Sequence, residues 1–176
     1  MPEPGDRLKL AISARRIRAR VAALAHHVDD GYRGSNLTLV VVLKGAAIFA
    51  ADLMRQITIP FAIDYIGAAS YGAAMRSSGR VALSGIEALD VAGRDVLVIE
   101  DILDSGRTAV AVLDALGERR PASLALLPLL RKPALARPEL PVPHVGFDIG
   151  DEFVVGYGMD VAERYRNLPA IYRLCR

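Results

Sequence analysis

The segment Asp95 to Thr108, DVLVIEDILDSGRT, carries the most explicit chemistry in this chain. An apolar run of strand length, Val96 to Ile99, delivers two adjacent carboxylates, Glu100 and Asp101. A third, Asp104, follows at once, and Ser105, Gly106 and Thr108 then open a helix expected over Ala109 to Leu116. A helix start offers unpaired N–H groups and a partial positive charge to a phosphate. Small hydroxyl residues and a glycine let that phosphate approach the backbone. The acids are suited to sugar hydroxyls or to a divalent metal. An acid at a strand end with a glycine in the next loop is common wherever α/β sheets bind ligands. The complete order of strand, two acids, two apolar residues, Asp-Ser-Gly-x-Thr is far more specific.

Such a segment needs a sheet edge to sit on, and the rest of the chain supplies one. Residues 13–30 read as an amphipathic helix capped by Ser13, with Ile17, Val21, Leu24 and Val28 at helical spacing. Leu37 to Leu43 is continuously apolar, as in a strand buried on both faces. Lys44-Gly45 ends it, and Ala46 to Ile57 reads as a helix. Further strands are expected at Ile59 to Ile66, Arg80 to Leu83, Ser123 to Leu130 and Val145 to Ile149. Alternating strands and helices with continuous apolar strands predict an α/β fold on a parallel sheet. The Pro-rich passage from Pro133 to Pro143 reads as a connection within a single domain, residues 1–176.

Composition narrows the function classes. At 176 residues and 52% hydrophobic, the chain can bury a sizeable core and is not a disordered segment. No apolar run is long enough for a bilayer, and the first residues do not resemble a signal peptide. A net charge of +2 gives no footprint for nucleic acid, and Arg15, Arg16, Arg18 and Arg20 read as a solvated helix face. The single cysteine, Cys175, has no internal partner, so a cytoplasmic location is expected. Only three of the 22 basic residues are lysines, Lys9, Lys44 and Lys132. Lysine is a compact charge with three donors that arginine does not replace. Its retention at 44 and 132 marks both positions.

Four more segments matter: Val42-Leu43-Lys44-Gly45; Ser70-Tyr71-Gly72 within a glycine- and serine-rich stretch to Gly79; Leu129 to Pro133; and Gly146 to Asp160 continuing to Pro169. With the Glu-Asp…Asp-Ser-Gly-x-Thr motif, they resemble the type I phosphoribosyltransferases. Within these, the resemblance from Leu37 to Leu174 is to the hypoxanthine-guanine enzymes. It implies a parallel sheet flanked by helices, with a small hood built mainly from residues 151–176 and helped by the N-terminus.

The resemblance also implies a reaction: Mg²⁺-dependent transfer of the phosphoribosyl group from phosphoribosyl pyrophosphate (PRPP) to hypoxanthine or guanine. Lys44 and Gly45 would bind pyrophosphate after a cis peptide, with Arg166 as a second phosphate ligand. Glu100 and Asp101 would hold ribose hydroxyls or a metal bound to them. Asp104 would accept the purine N7 proton as general base. Ser105, Gly106, Arg107 and Thr108 would bind the 5′-phosphate. Lys132 would donate to the 6-oxo group, Phe153 would stack on the purine, and the Val154 backbone would read its edge. Asp160 would reach Mg²⁺. Ser70 and Tyr71 would stand at the hinge end of a closing loop. Arg131 and Gly150 depart from the residues usual at their positions. A homodimer or homotetramer is implied, with neither nucleic-acid nor membrane partners. The rival reading is an RNA-binding regulator of pyrimidine genes, with the same fold and uracil phosphoribosyltransferase activity. The Gly-Arg-Thr step and the Arg-rich first helix are compatible with it.

Overall fold

The computed structural model describes residues 7–70, 81–135 and 139–175. Strand β1 spans Arg7–Ile12, helix α1 Ala14–Gly31, β2 Leu37–Leu43, α2 Ala47–Met54, β3 Ala62–Ser70 and β4 Val81–Ser84. Strand β5 spans Asp95–Leu103, α3 Arg107–Gly117, β6 Ser123–Arg131, β7 Phe147–Asp148, β8 Val154–Val155 and β9 Ile171–Cys175. Tyr71 and the stretch to Gly79 that sequence reads as a lid lie outside the described residues.

The main sheet has the order β4-β3-β2-β5-β6-β7. Its strands run parallel from β3 through β7, as sequence predicts, while β4 lies antiparallel on the edge. Alternation along β2 and β5 explains why both read as unbroken apolar runs. Leu39, Val41, Leu97 and Ile99 pack towards α1 and α2, with Ile17, Leu24, Phe49 and Leu53. Val40, Val42, Val96 and Val98 face α3, with Val112, Leu113 and Leu116. Burial on both faces removes the polar alternation of a one-sided sheet.

The Ser13 side chain caps α1 by accepting from the Arg16 N–H. At the other end of α1, buried Asp29 accepts from the Thr58 N–H at 2.9 Å, the Thr58 hydroxyl at 2.7 Å and the Ile59 N–H at 3.2 Å. Those bonds occupy the donors that a strand beginning at Ile59 would need, and Pro60 has none. Strand β3 therefore starts at Ala62, three residues later than expected. Strand β5 instead runs past its apolar core, because β6 continues beside it to Leu103↔Arg131. Glu100 and Asp101 thus lie inside the strand, not beyond its end.

The hood is a separate antiparallel sheet of order β1-β9-β8. None of its three strands is among the elements expected from sequence, and β1 lies outside the segment assigned mainly to the hood. It pairs with β9 from Arg7↔Cys175 to Ile12↔Ile171, so the N-terminal segment supplies one of the hood's strands. Ile12, Val154, Tyr157, Met159 and Ile171 join the core on the α1 and α2 side, which seats the hood over the sheet. No helix among the described residues is long and apolar enough to cross a membrane.

Candidate active site

Parallel strands deliver their C-terminal ends to one edge, where α/β sheets bind ligands. Here that edge collects Lys44 after β2, Glu100 to Asp104 in and after β5, and Lys132 after β6. The Lys132 N–H donates to the Leu103 carbonyl at 3.0 Å, which holds the two strand ends together.

The first cavity, 190 Å³, is lined by Glu100 through Ala109. Gly106 stands before α3 in the left-handed region, φ 74°, which glycine adopts without strain, and no side chain caps the helix start. Its first N–H groups are therefore free to meet an anion. Ser105, Arg107 and Thr108 surround that start, as the sequence predicts. At the other end of the cavity, Glu100 is buried with its Oε2 unpartnered. Burial, and then the neighbouring Asp101 charge, hold its carboxyl well above the usual range. Burial likewise raises Asp101, opposed by hydrogen bonds from Glu100 and the Ile102 N–H.

This pair needs a proton, hydroxyl donors or a cation to settle its charge, and that fits sugar hydroxyls or Mg²⁺. The described residues contain no group of three His, Cys, Asp or Glu able to hold a metal, so Glu100, Asp101 and Asp160 do not form one cluster. Mg²⁺ commonly takes only one or two carboxylates and completes its shell with water and substrate phosphates. The donor set therefore fits a metal that arrives with its substrate.

A second cavity, 680 Å³, lies between Leu43, Lys44, β3, β4, Glu163 and Arg166. The Leu43–Lys44 peptide is cis, as the resemblance implies. Gly45 packs so tightly that a Cβ would fall 1.8 Å from Oδ2 of Asp101. The hood closes on the same loop, for a Cβ on Gly158 would fall 2.0 Å from the Gly45 carbonyl oxygen. Arg166 donates to the Gly158 carbonyl at 2.7 Å and pairs with Asp160 at 2.8 Å.

A third cavity, 450 Å³, is lined by Asp101, Ile102, Asp104, Lys132, Glu152, Phe153, Val154, Met159 and Asp160. Phe153 is 55% exposed, an unsatisfied aromatic face beside the cavity. Lys132 is buried, and its Nζ lies 3.2 Å from Oδ2 of Asp104. Val154 lies in β8 opposite Arg173. Most of the described site residues thus line one of three cavities, and Asp101, Ile102 and Asp104 border both the first and the third.

Two charged lining residues have no role in the sequence analysis. Glu152 is held by Arg173 at 2.8 Å, and Glu163 bonds to Lys44 at 3.2 Å. The signal for Glu163 is its place three residues from both Asp160 and Arg166 in sequence. Arg131, a departure at the sequence level, makes a two-pronged bond to Asp148 at 2.7 and 3.1 Å and ties β6 to β7.

Comparison with known proteins agrees with this geometry. The phosphoribosyl transferase domain family matches residues 11–162. The chain is 43% identical over 166 residues to the hypoxanthine phosphoribosyltransferase of Salmonella typhimurium, covering 93% of each. It is 43% identical over 174 residues to the hypoxanthine-guanine phosphoribosyltransferase of Mycobacterium avium, covering 96% of this chain and 86% of that one. Among solved structures, a hypoxanthine phosphoribosyltransferase from Staphylococcus aureus superposes with a TM-score of 0.86 at 35% identity, covering 95% of this chain and 91% of the other. A hypoxanthine-guanine phosphoribosyltransferase from Bacillus anthracis gives 0.84 at 37% identity, covering 96% and 97%.

Proposed function

The chain belongs to the phosphoribosyl transferase family, as a purine-salvage enzyme of the hypoxanthine(-guanine) phosphoribosyltransferase group, and on that premise we propose its donor, its acceptor and the parts its residues play. The donor is PRPP and the acceptor is hypoxanthine or guanine. The products are the nucleoside 5′-monophosphate and pyrophosphate.

The observation that carries the acceptor is the Lys132–Asp104 pair at 3.2 Å on the wall of the third cavity. Lys132 has only donors, and ionised Asp104 has only acceptors. A 6-oxopurine protonated at N7 presents the complement on one edge, the carbonyl oxygen O6 beside N7–H. In adenine the amino group would face the ammonium, donor against donor. Phe153 supplies a stacking face that any purine satisfies, so the edge contacts select.

The three cavities then divide the substrates. The 5′-phosphate lies at the start of α3, held by backbone N–H groups and by Ser105, Gly106, Arg107 and Thr108. The ribose hydroxyls meet Glu100 and Asp101. The pyrophosphate lies between Lys44-Gly45 and Arg166, where a planar guanidinium suits phosphate oxygens. The purine lies between Phe153 and the β5 end, against the Val154 backbone. As the bond from the anomeric carbon to pyrophosphate breaks, N9 of the purine forms the new bond to that carbon, and Asp104 takes the N7 proton. Bound Mg²⁺, held by Glu100 and Asp101 with Asp160 close to the purine side, would neutralise charge on the departing pyrophosphate.

We read the chain as one catalytic domain, cytoplasmic and homo-oligomeric. Product formation from PRPP and Mg²⁺ with hypoxanthine, guanine, xanthine, adenine or uracil tests the assignment. Activity on hypoxanthine or guanine is expected. Activity on uracil alone would move the chain to the pyrimidine regulator.

A further inference from the structure

Glu163 faces the two cations of the second cavity at once. Its Oε1 lies 3.2 Å from Nζ of Lys44, and its Oε2 lies 3.3 Å from Nη2 and 3.4 Å from Nε of Arg166. One carboxylate oxygen therefore meets each cation, which is how two oxygens of a phosphate would bridge them. The backbone presents the side chain from a tight turn. Ala162 and Glu163 are both left-handed, at φ 50° and 62°, and the Glu163 N–H donates to Oδ2 of Asp160 at 2.7 Å. The carboxylate itself is free to leave, because the Glu163 side chain is 64% exposed and the Lys44 side chain 68%. Exposed ion pairs of this kind are weak. The cavity they span is 680 Å³ and open to solvent, with room for a larger anion.

We infer that Glu163 is an internal stand-in for pyrophosphate: its carboxylate holds Lys44 and Arg166 in the empty enzyme and must be displaced when pyrophosphate binds. This rests on the reading that Lys44 and Arg166 are the pyrophosphate ligands. A pyrophosphate carries more charge and more oxygens than one carboxylate, so it wins the competition, but at reduced net affinity. On departure of the product, the carboxylate returns to the cations and helps clear the site. Glu163 thereby sets the balance between binding PRPP tightly and releasing pyrophosphate quickly. It touches neither the purine nor the 5′-phosphate, so its influence is confined to ligands that carry the pyrophosphate group.

Calorimetric titration of the full chain with magnesium pyrophosphate, and separately with inosine 5′-monophosphate, tests this in wild type, Glu163→Gln and Glu163→Asp. Gln removes the charge. Asp keeps it but shortens the reach by one methylene, too short to bridge both cations. Because exposed ion pairs contribute little each, pyrophosphate is expected to bind roughly 3- to 10-fold tighter to the Gln variant. The Asp variant is expected to show at least half of that gain on a logarithmic scale, and the monophosphate affinity to stay unchanged in all three. Unchanged or weaker pyrophosphate binding by Glu163→Gln would overturn the inference. So would an Asp variant that matches wild type, since that result belongs to a general field effect of the charge. If none of the three proteins binds pyrophosphate while the monophosphate binds, the reading of the cavity itself fails, and the inference with it.

Discussion

Lys132 and Asp104, 28 residues apart in sequence, meet at 3.2 Å, with the lysine side chain 11% exposed and the aspartate side chain 48%. The lysine is held among the ends of β5 and β6, whereas the aspartate reaches into the cavity. The fixed member is the donor and the accessible member is the acceptor, which suits a base to a proton that arrives with substrate.

Asp104→Asn removes the proton acceptor and keeps the shape. Turnover is expected to fall by about 10²- to 10⁴-fold, the usual contribution of a positioned general base. PRPP binding measured by calorimetry should persist. An unchanged turnover number would place the proton transfer elsewhere.

Removal of Lys132 and removal of Phe153 are expected to act differently. Lys132→Ala should impair use of 6-oxopurines and leave PRPP binding largely intact. Phe153→Ala should weaken hypoxanthine and guanine together, by about 1–3 kcal/mol, as expected for loss of a stacking face. KM measurements for each base and for PRPP separate the two patterns.

Gly45→Ala places a methyl group where Oδ2 of Asp101 now lies, 1.8 Å from the ideal Cβ. A carboxylate can rotate away, so the melting temperature should change little. The displaced group is a proposed ribose ligand, however, and misplacement by an ångström can cost about 10²-fold in rate. A loss in kcat/KM for PRPP of that order is expected. Full activity would show that Asp101 is not needed where it stands.

Tyr157 donates to Oδ2 of Asp52 at 2.7 Å and so ties the hood to α2. Burial, followed by that carboxylate, raises the phenol far above its ordinary value, so it stays a donor throughout the working pH range. Tyr157→Phe should destabilise the chain by about 1–3 kcal/mol, the range for a hydrogen bond to a charged group and its unmatched acceptor. Urea denaturation reads this directly.

Away from the active edge, half-buried His144 stacks on His27 with ring centroids 4.3 Å apart. Burial first, then the His27 and Arg20 charges, hold its imidazole below the ordinary value of 6.5. The unfolded chain therefore binds more protons than the folded one just below 6.5, and stability rises with pH there. The contribution is intact above the unfolded value and is lost as pH falls towards the depressed folded value. Urea midpoints for wild type should drop from about pH 8 to about pH 5 more steeply than those for His144→Gln. Equal slopes would contradict the assignment.

Much of this site was legible locally, and the limits are instructive. Glu100, Asp101, Asp104 and the α3 start share one short segment, so their order alone brings them to one cavity. Lys44 and Lys132 stood out because each follows a buried strand in a chain that otherwise uses arginine. Long-range pairing was not legible. Strand β1 has the alternation of Leu8, Leu10 and Ile12, yet its partner β9 lies some 160 residues away, and nothing local marks the match. Start points moved for similar reasons: Asp29, distant in sequence, withdraws Thr58 and Ile59 from β3. The Lys44 half of the Glu163 bridge joins residues 119 apart, so spacing along the chain could not reveal that contact, although the Arg166 half lies three residues away.

The base preference of the purified protein tests the central claim most directly. With PRPP and Mg²⁺, hypoxanthine should yield inosine 5′-monophosphate and pyrophosphate in equal amounts. Adenine, which would set its amino group against Lys132, should be used with a kcat/KM lower by about 10⁴-fold or more. Adenine turnover within about tenfold of hypoxanthine would contradict the reading of the Lys132–Asp104 pair, and with it the proposed substrate.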